Sequence, residues 1–281
     1  MSIEVASGRT TDPSGGADDR SSREQVVATI MGHPVLCPKP FEHQLPDKGE
    51  DRILFGLLAE RWPFVIVADG VSDSEGNGGD IVSGFGGNAA QAVAETAKKH
   101  LDSTLRRKHL HEILIHVREA YDQGAEELKT QKTLGKTTLL VAFLCEIGEP
   151  ASPKAFWVYA YEGDGSIVLM SPQRKIDGKI WRTELLAPGQ KYESTASISQ
   201  GGPSVAPVVG CVAYEPGDMI YLASDGMDAV QKAVRQNKKV FFANYIWDCF
   251  EKTHETTQLY SELSNFRYDD DAVLGLIWTR K

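Results

Sequence analysis

Apolar residues recur along this chain with two different periods, and the change of period divides it into elements. Runs rich in β-branched and aromatic residues predict strands at Val26–Met31, Arg52–Leu58, Phe64–Ala68, Thr138–Ile147, Ala155–Tyr161, Ile167–Met170, Trp181–Leu186, Met219–Ala223 and Ala272–Trp278. The segment 59–63, ending in Pro63, reads as a hairpin connection. A stripe of period 3.6 predicts one helix on Ala90, Val93, Ala94, Ala97, Leu101 and Leu105, and a second on Leu110, Ile113, Leu114, Val117, Tyr121 and Leu128. A short helix is expected near Asp228, and a longer one presents Phe242, Ile246, Cys249, Phe250 and Thr253 on one face. Strand pairs, a helix pair and then strands again do not alternate βαβ as a doubly wound fold does. The pattern predicts an α+β fold of antiparallel sheets covered by helices.

Residues 26–281 read as a single domain, without internal repeat or linker. Residues 1–25 are polar, rich in Ser, Gly, Asp and Arg, and read as a disordered tail with no secretory-type apolar stretch.

The chemistry is suggested by acidic residues set at the ends of apolar runs. Asp69-Gly70 follows Phe64–Ala68, Gly163-Asp164 follows Trp157–Glu162, and Ser224-Asp225-Gly226 follows Ile220–Ala223. Asp269-Asp270-Asp271 precedes the final strand. A carboxylate beside a buried strand is costly unless it is paired or binds a cation. A single Asp-Gly there is commonly a turn. Four in one domain point to strand ends converging on hard divalent cations, which prefer oxygen ligands.

In order and wording these motifs resemble the type 2C, metal-dependent serine/threonine protein phosphatases, in particular bacterial single-domain members. The matching positions are Glu50-Asp51, Asp69-Gly70 with Gly78-Gly79, Gly135-Lys136-Thr137-Thr138, Gly163-Asp164-Gly165, Ser224-Asp225-Gly226 and Asp270-Asp271. The run from Glu215 to Asp228 is the longest match. The resemblance implies two β-sheets packed as a sandwich flanked by helices. It also implies a site for two Mn2+ or Mg2+ ions, with a third, weaker one in some members. By resemblance, Asp69 bridges the metals, the Gly70 carbonyl completes one site, and Asp225 and Asp270 ligate the other. Glu50 and Asp51 hold metal-bound waters, and Asp164 with Asp225 matches the third position. The implied reaction is hydrolysis of phosphoserine or phosphothreonine in proteins, by in-line attack of a hydroxide held between the metals. Asp69 and Asp225 are its central carboxylates. A phosphorylated protein is the implied substrate, a serine/threonine kinase its counterpart, and the cytoplasm its setting.

Three positions depart from the family pattern. Many members carry a His in or just after Asp-Gly, where this chain has Val71, Ser72, Asp73 and Ser74. Several carry an Arg before Glu-Asp that grips the phosphate, where Pro46, Asp47, Lys48 and Gly49 stand here. Gly-Asp-Ser becomes Gly163-Asp164-Gly165. Lys48 or Arg52 is the expected substitute for the Arg, with Lys48 preferred because strand alternation points Arg52 away from the site. The open alternatives are a pseudophosphatase that binds a phosphoprotein or kinase, and hydrolysis of a small phosphorylated metabolite.

Other signals subtract possibilities. The net charge of −9 argues against a nucleic-acid binder. No apolar run is long enough to span a membrane. Gly135-Lys136-Thr137-Thr138 is not a phosphate-binding loop: Thr130 stands where that motif needs Gly, and a β-type run follows. Cys37, Cys145, Cys211 and Cys249 lack metal-binding spacing and read as reduced thiols. The seven His residues show no zinc-type spacing. The aromatic residues between Phe241 and Phe250 read as a core helix beside solvated Lys238 and Lys239.

Overall fold

The strand Trp62–Ala68 is buried along its entire length, which explains why its sequence is continuously apolar rather than alternating. Phe64 and Ile66 pack under helices, while Val65 and Val67 face a second sheet. The computed structural model describes residues 2–6, 27–35, 50–71, 85–105, 109–133, 135–148, 154–173, 182–188, 196–253, 256–266 and 271–280.

In chain order the strands are β1 (Ser2–Ala6), β2 (Val27–Val35), β3 (Arg52–Leu58), β4 (Trp62–Ala68), β5 (Gly70–Val71), β6 (Lys136–Thr137), β7 (Leu139–Ile147) and β8 (Lys154–Glu162). They continue as β9 (Ser166–Ser171), β10 (Arg182–Pro188), β11 (Ile198–Ser199), β12 (Gly202–Pro203), β13 (Val208–Ala213), β14 (Met219–Ala223) and β15 (Ala272–Arg280). The helices are α1 (Phe85–Thr104), α2 (Leu110–Gln131), α3 (Asp228–Lys238), α4 (Phe242–Thr253) and α5 (Thr256–Leu263).

Two antiparallel sheets form the sandwich: β13-β8-β7-β4-β3 and β1-β2-β15-β14-β9-β10. Val65, Val67, Leu140, Ala142, Ile220, Leu222, Val273 and Ile277 fill the space between them. Outside the first sheet, Val93, Ala97, Leu101, Val117 and Tyr121 of α1 and α2 cover Phe64, Ile66, Val141 and Phe143. Outside the second, Val230, Ile246 and Phe250 of α3 and α4, with Leu259 of α5, cover Tyr221, Leu276 and Trp278. The layer order is therefore α-β-β-α, as the family resemblance implied. A small third sheet, β12-β11-β6-β5, lies beside the sandwich.

At one end of β14, buried Asp218 accepts hydrogen bonds from Trp157 Nε1 (3.1 Å) and the Glu215 backbone N–H (3.0 Å). The Asp218 carbonyl accepts from Thr279 Oγ1 at 2.8 Å. This tie between the two sheets gives the turn Glu215–Asp218 a structural role. Helix α4 buries Phe242, Ile246, Cys249 and Phe250, while Phe241 and the two lysines stay exposed, in agreement with the core-helix reading. Cys145, Cys211 and Cys249 are free thiols. Among the described residues no helix is long and apolar enough to cross a membrane.

Three features differ from the sequence expectation. Pro63 belongs to β4 rather than to the connection, and pairs with Leu57. The other neighbour, β7, joins only from Phe64 onward, so the missing N–H of Pro63 costs no bond in that ladder. The turn is instead made by Ala59 and Glu60 at φ 48° and 61°, held by the Ala59 N–H on Asp102 Oδ1 at 3.0 Å. Strand β13 was not anticipated, because it is a half-exposed edge interrupted by Gly210.

The third difference falls in the segment read as a tail, where Ser2–Ala6 forms edge strand β1 on β2. Backbone pairing needs only five residues here, too few for periodicity to announce. β1 pairs with Val27–Met31, the stretch of β2 opposite Leu276–Arg280 and remote from the start of β15. Deleting residues 1–6 is therefore expected to lower Tm by a few degrees, at about 2–4 °C per kcal/mol lost. Turnover of a small phosphate ester should be unchanged. An unchanged Tm would show that β1 contributes nothing to stability.

Candidate metal centre

The strand registers bring the acidic motifs to one end of the sandwich. Arg52 pairs with Ala68, Leu139 with Glu162, Ser166 with Ala223, and Ala223 with Leu274. The residues just beyond these termini, Asp51, Asp69, Thr138, Asp164, Asp225 and Asp271, therefore meet there. One carboxylate oxygen from each of Asp69, Asp164 and Asp225 lies within 4.8 Å of the other two. The carboxyls of Asp51 and Asp225 stand close enough to that of Asp69 to perturb it directly.

Such crowding is costly without a counter-charge. Burial first, then the negative charges of Asp51 and Asp225, push the Asp69 carboxyl well above the usual carboxylate range. Two like charges about 4 Å apart repel by about 4 kcal/mol at an effective dielectric near 20. A divalent cation in the same place reverses the sign of each such interaction. The donor set is all oxygen, with neither thiolate nor imidazole, so it fits Mg2+ or Mn2+ rather than zinc or copper. A dry core of the size described above is what lets the fold carry this cluster: each fully buried Leu or Val contributes about 1.5–3 kcal/mol.

Backbone contacts fix the carboxylates in place. The Asp69 carbonyl accepts from Thr137 Oγ1 and from the Thr138 N–H, both at 2.8 Å. The Asp69 N–H donates to Thr138 Oγ1 at 3.3 Å. Ser224 ties β14 to β15: its N–H donates to the Val273 carbonyl at 3.1 Å, and its Oγ accepts from the Val273 N–H at 3.0 Å. Asp225 then opens a 3₁₀ turn, Asp225–Met227, that runs into α3. Buried Asp271 accepts the Glu50 backbone N–H on Oδ2 at 2.8 Å, which positions the entry to β3. Gly70 meets the start of α1 backbone to backbone: a Cβ on Gly70 would stand 2.4 Å from the Gly86 carbonyl carbon. No other residue type fits that crossing.

Of the residues expected from sequence, Asp69, Asp164 and Asp225 come together and Asp51 joins them. Glu50 is buried beside them with its backbone held by Asp271. Gly70 is buried in β5. Asp270 and Lys48 lie outside the described residues. Arg52 Nη1 donates to the Asp51 carbonyl at 2.8 Å, so its guanidinium steadies the loop that carries Asp51. Glu162, next to Gly163, is not in the cluster; it accepts from the Ser204 N–H at 2.9 Å and secures the segment after β12.

The supporting residues Thr137, Thr138, Ser224 and Asp271 were not singled out as site residues. The only sequence signal for them was their place inside the motifs. Asp271→Asn keeps an acceptor for the Glu50 N–H and is expected to be mild, whereas Asp271→Ala leaves that N–H buried and unpaired. The second change should cost about 1–3 kcal/mol of stability, read as a lower urea midpoint. Equal effects of the two would discount the hydrogen bond.

Comparison with known proteins finds the same fold and a family match. A family model described as Protein phosphatase 2C matches residues 47–264. The catalytic domain of the serine/threonine protein phosphatase PstP, solved in complex with two manganese ions, superimposes with a TM-score of 0.58 at 14% identity, covering 91% of this chain and 100% of that one. The S. agalactiae serine/threonine phosphatase gives 0.56 at 17% identity, covering 89% and 99%. The phosphatase MsPP from Mycobacterium smegmatis, in complex with cacodylate, gives 0.55 at 16%, covering 90% and 98%. No curated protein matches the sequence.

Proposed function

Because the chain belongs to the protein phosphatase 2C family, we propose that it is an active, metal-dependent phosphatase acting on phosphoserine and phosphothreonine in proteins. The observation that carries this reading is the convergence of Asp69, Asp164 and Asp225, with the Asp51 carboxyl beside Asp69. Asp69 and the Gly70 carbonyl would hold one ion, Asp69 with Asp225 and Asp270 the second, and Asp164 with Asp225 a weaker third. Glu50 and Asp51 would orient water around them. The chemistry supplied by a bound pair of Mn2+ or Mg2+ ions is Lewis acidity toward water and toward the phosphoryl oxygens.

The chain's own part is to hold these carboxylates rigidly, through Thr137, Thr138 and Ser224, so that little reorganisation is needed as charge develops. Lys48 is the proposed contact to the substrate phosphate. It offers a compact charge in place of the planar fork of an Arg, so binding should be weaker and less directional. The natural counterpart is a serine/threonine kinase acting on the same protein. The free thiols support a reducing, cytoplasmic setting.

A second reading rests on the positions that depart from the family pattern: no His stands at positions 71–74 and no Arg at positions 46–49. It makes the chain a pseudophosphatase that binds a phosphoprotein or kinase without turnover. The deciding experiment supplies Mn2+ and compares phosphate release from phosphoserine and phosphothreonine peptides, a phosphotyrosine peptide and small phosphorylated metabolites. Saturable release from the first two supports the enzyme. Saturable binding of those peptides without release supports the pseudophosphatase, and preference for a metabolite overturns the protein-substrate assignment.

A further inference from the structure

A second group of ligating side chains lies at the opposite end of α1 from the carboxylate centre. His100 stands near the C-terminal end of α1, about 21 Å along the helix from Gly86 at a rise of 1.5 Å per residue. His116 and Glu119 lie three residues apart on α2 and so share a face. One donor atom from each of the three lies within 4.8 Å of the other two. Glu119 Oε2 is 2.8 Å from His116 Nδ1 and 3.5 Å from His100 Nε2. The two imidazoles stand edge to face with ring centres 6.0 Å apart.

The shorter edge is a hydrogen bond between His116 Nδ1 and Glu119 Oε2, and the whole group is compact enough to close around one ion. Two donors each bound about 2.0–2.1 Å from a tetrahedral zinc ion stand roughly 3.3 Å apart. The two edges to Glu119, 2.8 and 3.5 Å, fall on either side of that value. His100 Nε2 is buried and makes no hydrogen bond, even with a carboxylate 3.5 Å away. A buried nitrogen with only this long contact is poorly satisfied, and a metal ion would satisfy it. The last turn that carries His100 is fixed by Ser103 Oγ and Thr104 Oγ1, which both donate to the His100 carbonyl at 2.8 Å.

We propose that His100, His116 and Glu119 form a binding site for a borderline transition-metal ion of the zinc type, joining α1 to α2. The ligand set of two imidazoles and one carboxylate is the reverse of the all-oxygen centre in its preference, so the two sites take different metals. Three protein ligands leave a fourth position on the exposed side, where the Glu119 side chain is 46% accessible. Bound there, the metal ties together the two helices that cover the first sheet. Helix spacing hides the site from sequence, because His100 and His116 belong to different helices and meet only when these pack.

The test uses the full chain and reads metal binding rather than catalysis. Cobalt(II) is titrated by visible absorption, and Tm is measured with and without zinc, for the wild type, Asp69→Asn, His100→Gln, His116→Gln and Glu119→Gln. The wild type and Asp69→Asn are both expected to give the visible bands of a low-symmetry cobalt site. Zinc at about a hundredfold excess over Kd should raise their Tm by about 5 °C. The His variants should keep the metal-free Tm and lose both signals. Should a His variant fold poorly, Glu119→Gln carries the comparison, since its side chain is half-exposed. Equal cobalt spectra and zinc shifts in wild type and the Glu119 and His variants would overturn the site, as would loss of both signals in Asp69→Asn alone.

Discussion

Removing divalent cations with a chelator is expected to abolish phosphatase turnover, and Asp69→Asn should reproduce most of that loss with Mn2+ supplied in excess. The cluster of Asp51, Asp69, Asp164 and Asp225 contains only hard oxygen donors, which exchange Mg2+ and Mn2+ readily, so chelation should be reversible on adding metal back. Asp69 is the carboxylate crowded by two others, Asp51 and Asp225, and neutralising it withdraws charge from the ions that stabilise the transition state. Loss of one such preorganised interaction typically costs on the order of 10²–10³ in kcat. The metal-free protein gives an independent readout. The Asp69 carboxyl is raised above its unfolded value, by burial first and then by Asp51 and Asp225. Its favourable contribution is thus fully present below the unfolded carboxylate pKa and is lost as pH rises through the folded one. Without metal at neutral pH, Asp69→Asn should match or exceed the wild-type Tm, and the difference should shrink as pH is lowered. Mn2+ should stabilise the wild type more than the variant. Near-wild-type turnover in a folded, metal-supplied Asp69→Asn would remove Asp69 from the centre of the mechanism.

The parts of this molecule legible in its sequence are those governed by short-range pattern. β14 and the start of β15 were placed at Met219 and Ala272 because their apolar runs are long and end abruptly at Asp. Helices α1 and α2 were visible through stripes that in the structure pack on Phe64 and Phe143. What pattern could not show is register. That Asp271 reaches the Glu50 backbone across 221 residues, or that Thr138 grips Asp69, follows from which strands pair and at which residue. β1 was missed because a five-residue edge strand has too little periodicity to be told from a polar tail. Pro63 misled because its usual preference for turns was outweighed by a place at the start of β4, beyond the β7 ladder, where no N–H is needed. The carboxylates themselves were readable because each breaks a local rule, a charge at the end of a buried strand. Their supports break none and stayed hidden.

Gly226→Ala is expected to damage both stability and turnover, although it adds a single methyl group. A Cβ at Gly226 would stand 1.9 Å from the Asp271 carbonyl oxygen, 2.8 Å from the Asp271 carbonyl carbon and 3.1 Å from Ala272 Cβ. The nearest two are backbone atoms and cannot move aside by a rotamer change. Relief requires either the turn that starts at Asp225 or the start of β15 to shift. Both are pinned by Ser224, whose N–H and Oγ bond the Val273 backbone. Any movement therefore displaces Asp225 relative to Asp69, or Asp271 relative to Glu50. Overpacking of this kind costs about 1–3 kcal/mol, and a lower Tm should record it. A displacement of about 1 Å at a catalytic group can cost on the order of 10²-fold in rate, so kcat should fall more than KM rises. Gly201→Ala is the control: it is exposed, and its nearest neighbour, Ser199 Oγ, would lie at an ordinary 3.6 Å. A Gly226→Ala protein with wild-type Tm and kcat would show that the crossing of Gly226 and Asp271 yields freely, and that these backbones do not set the spacing of the carboxylates.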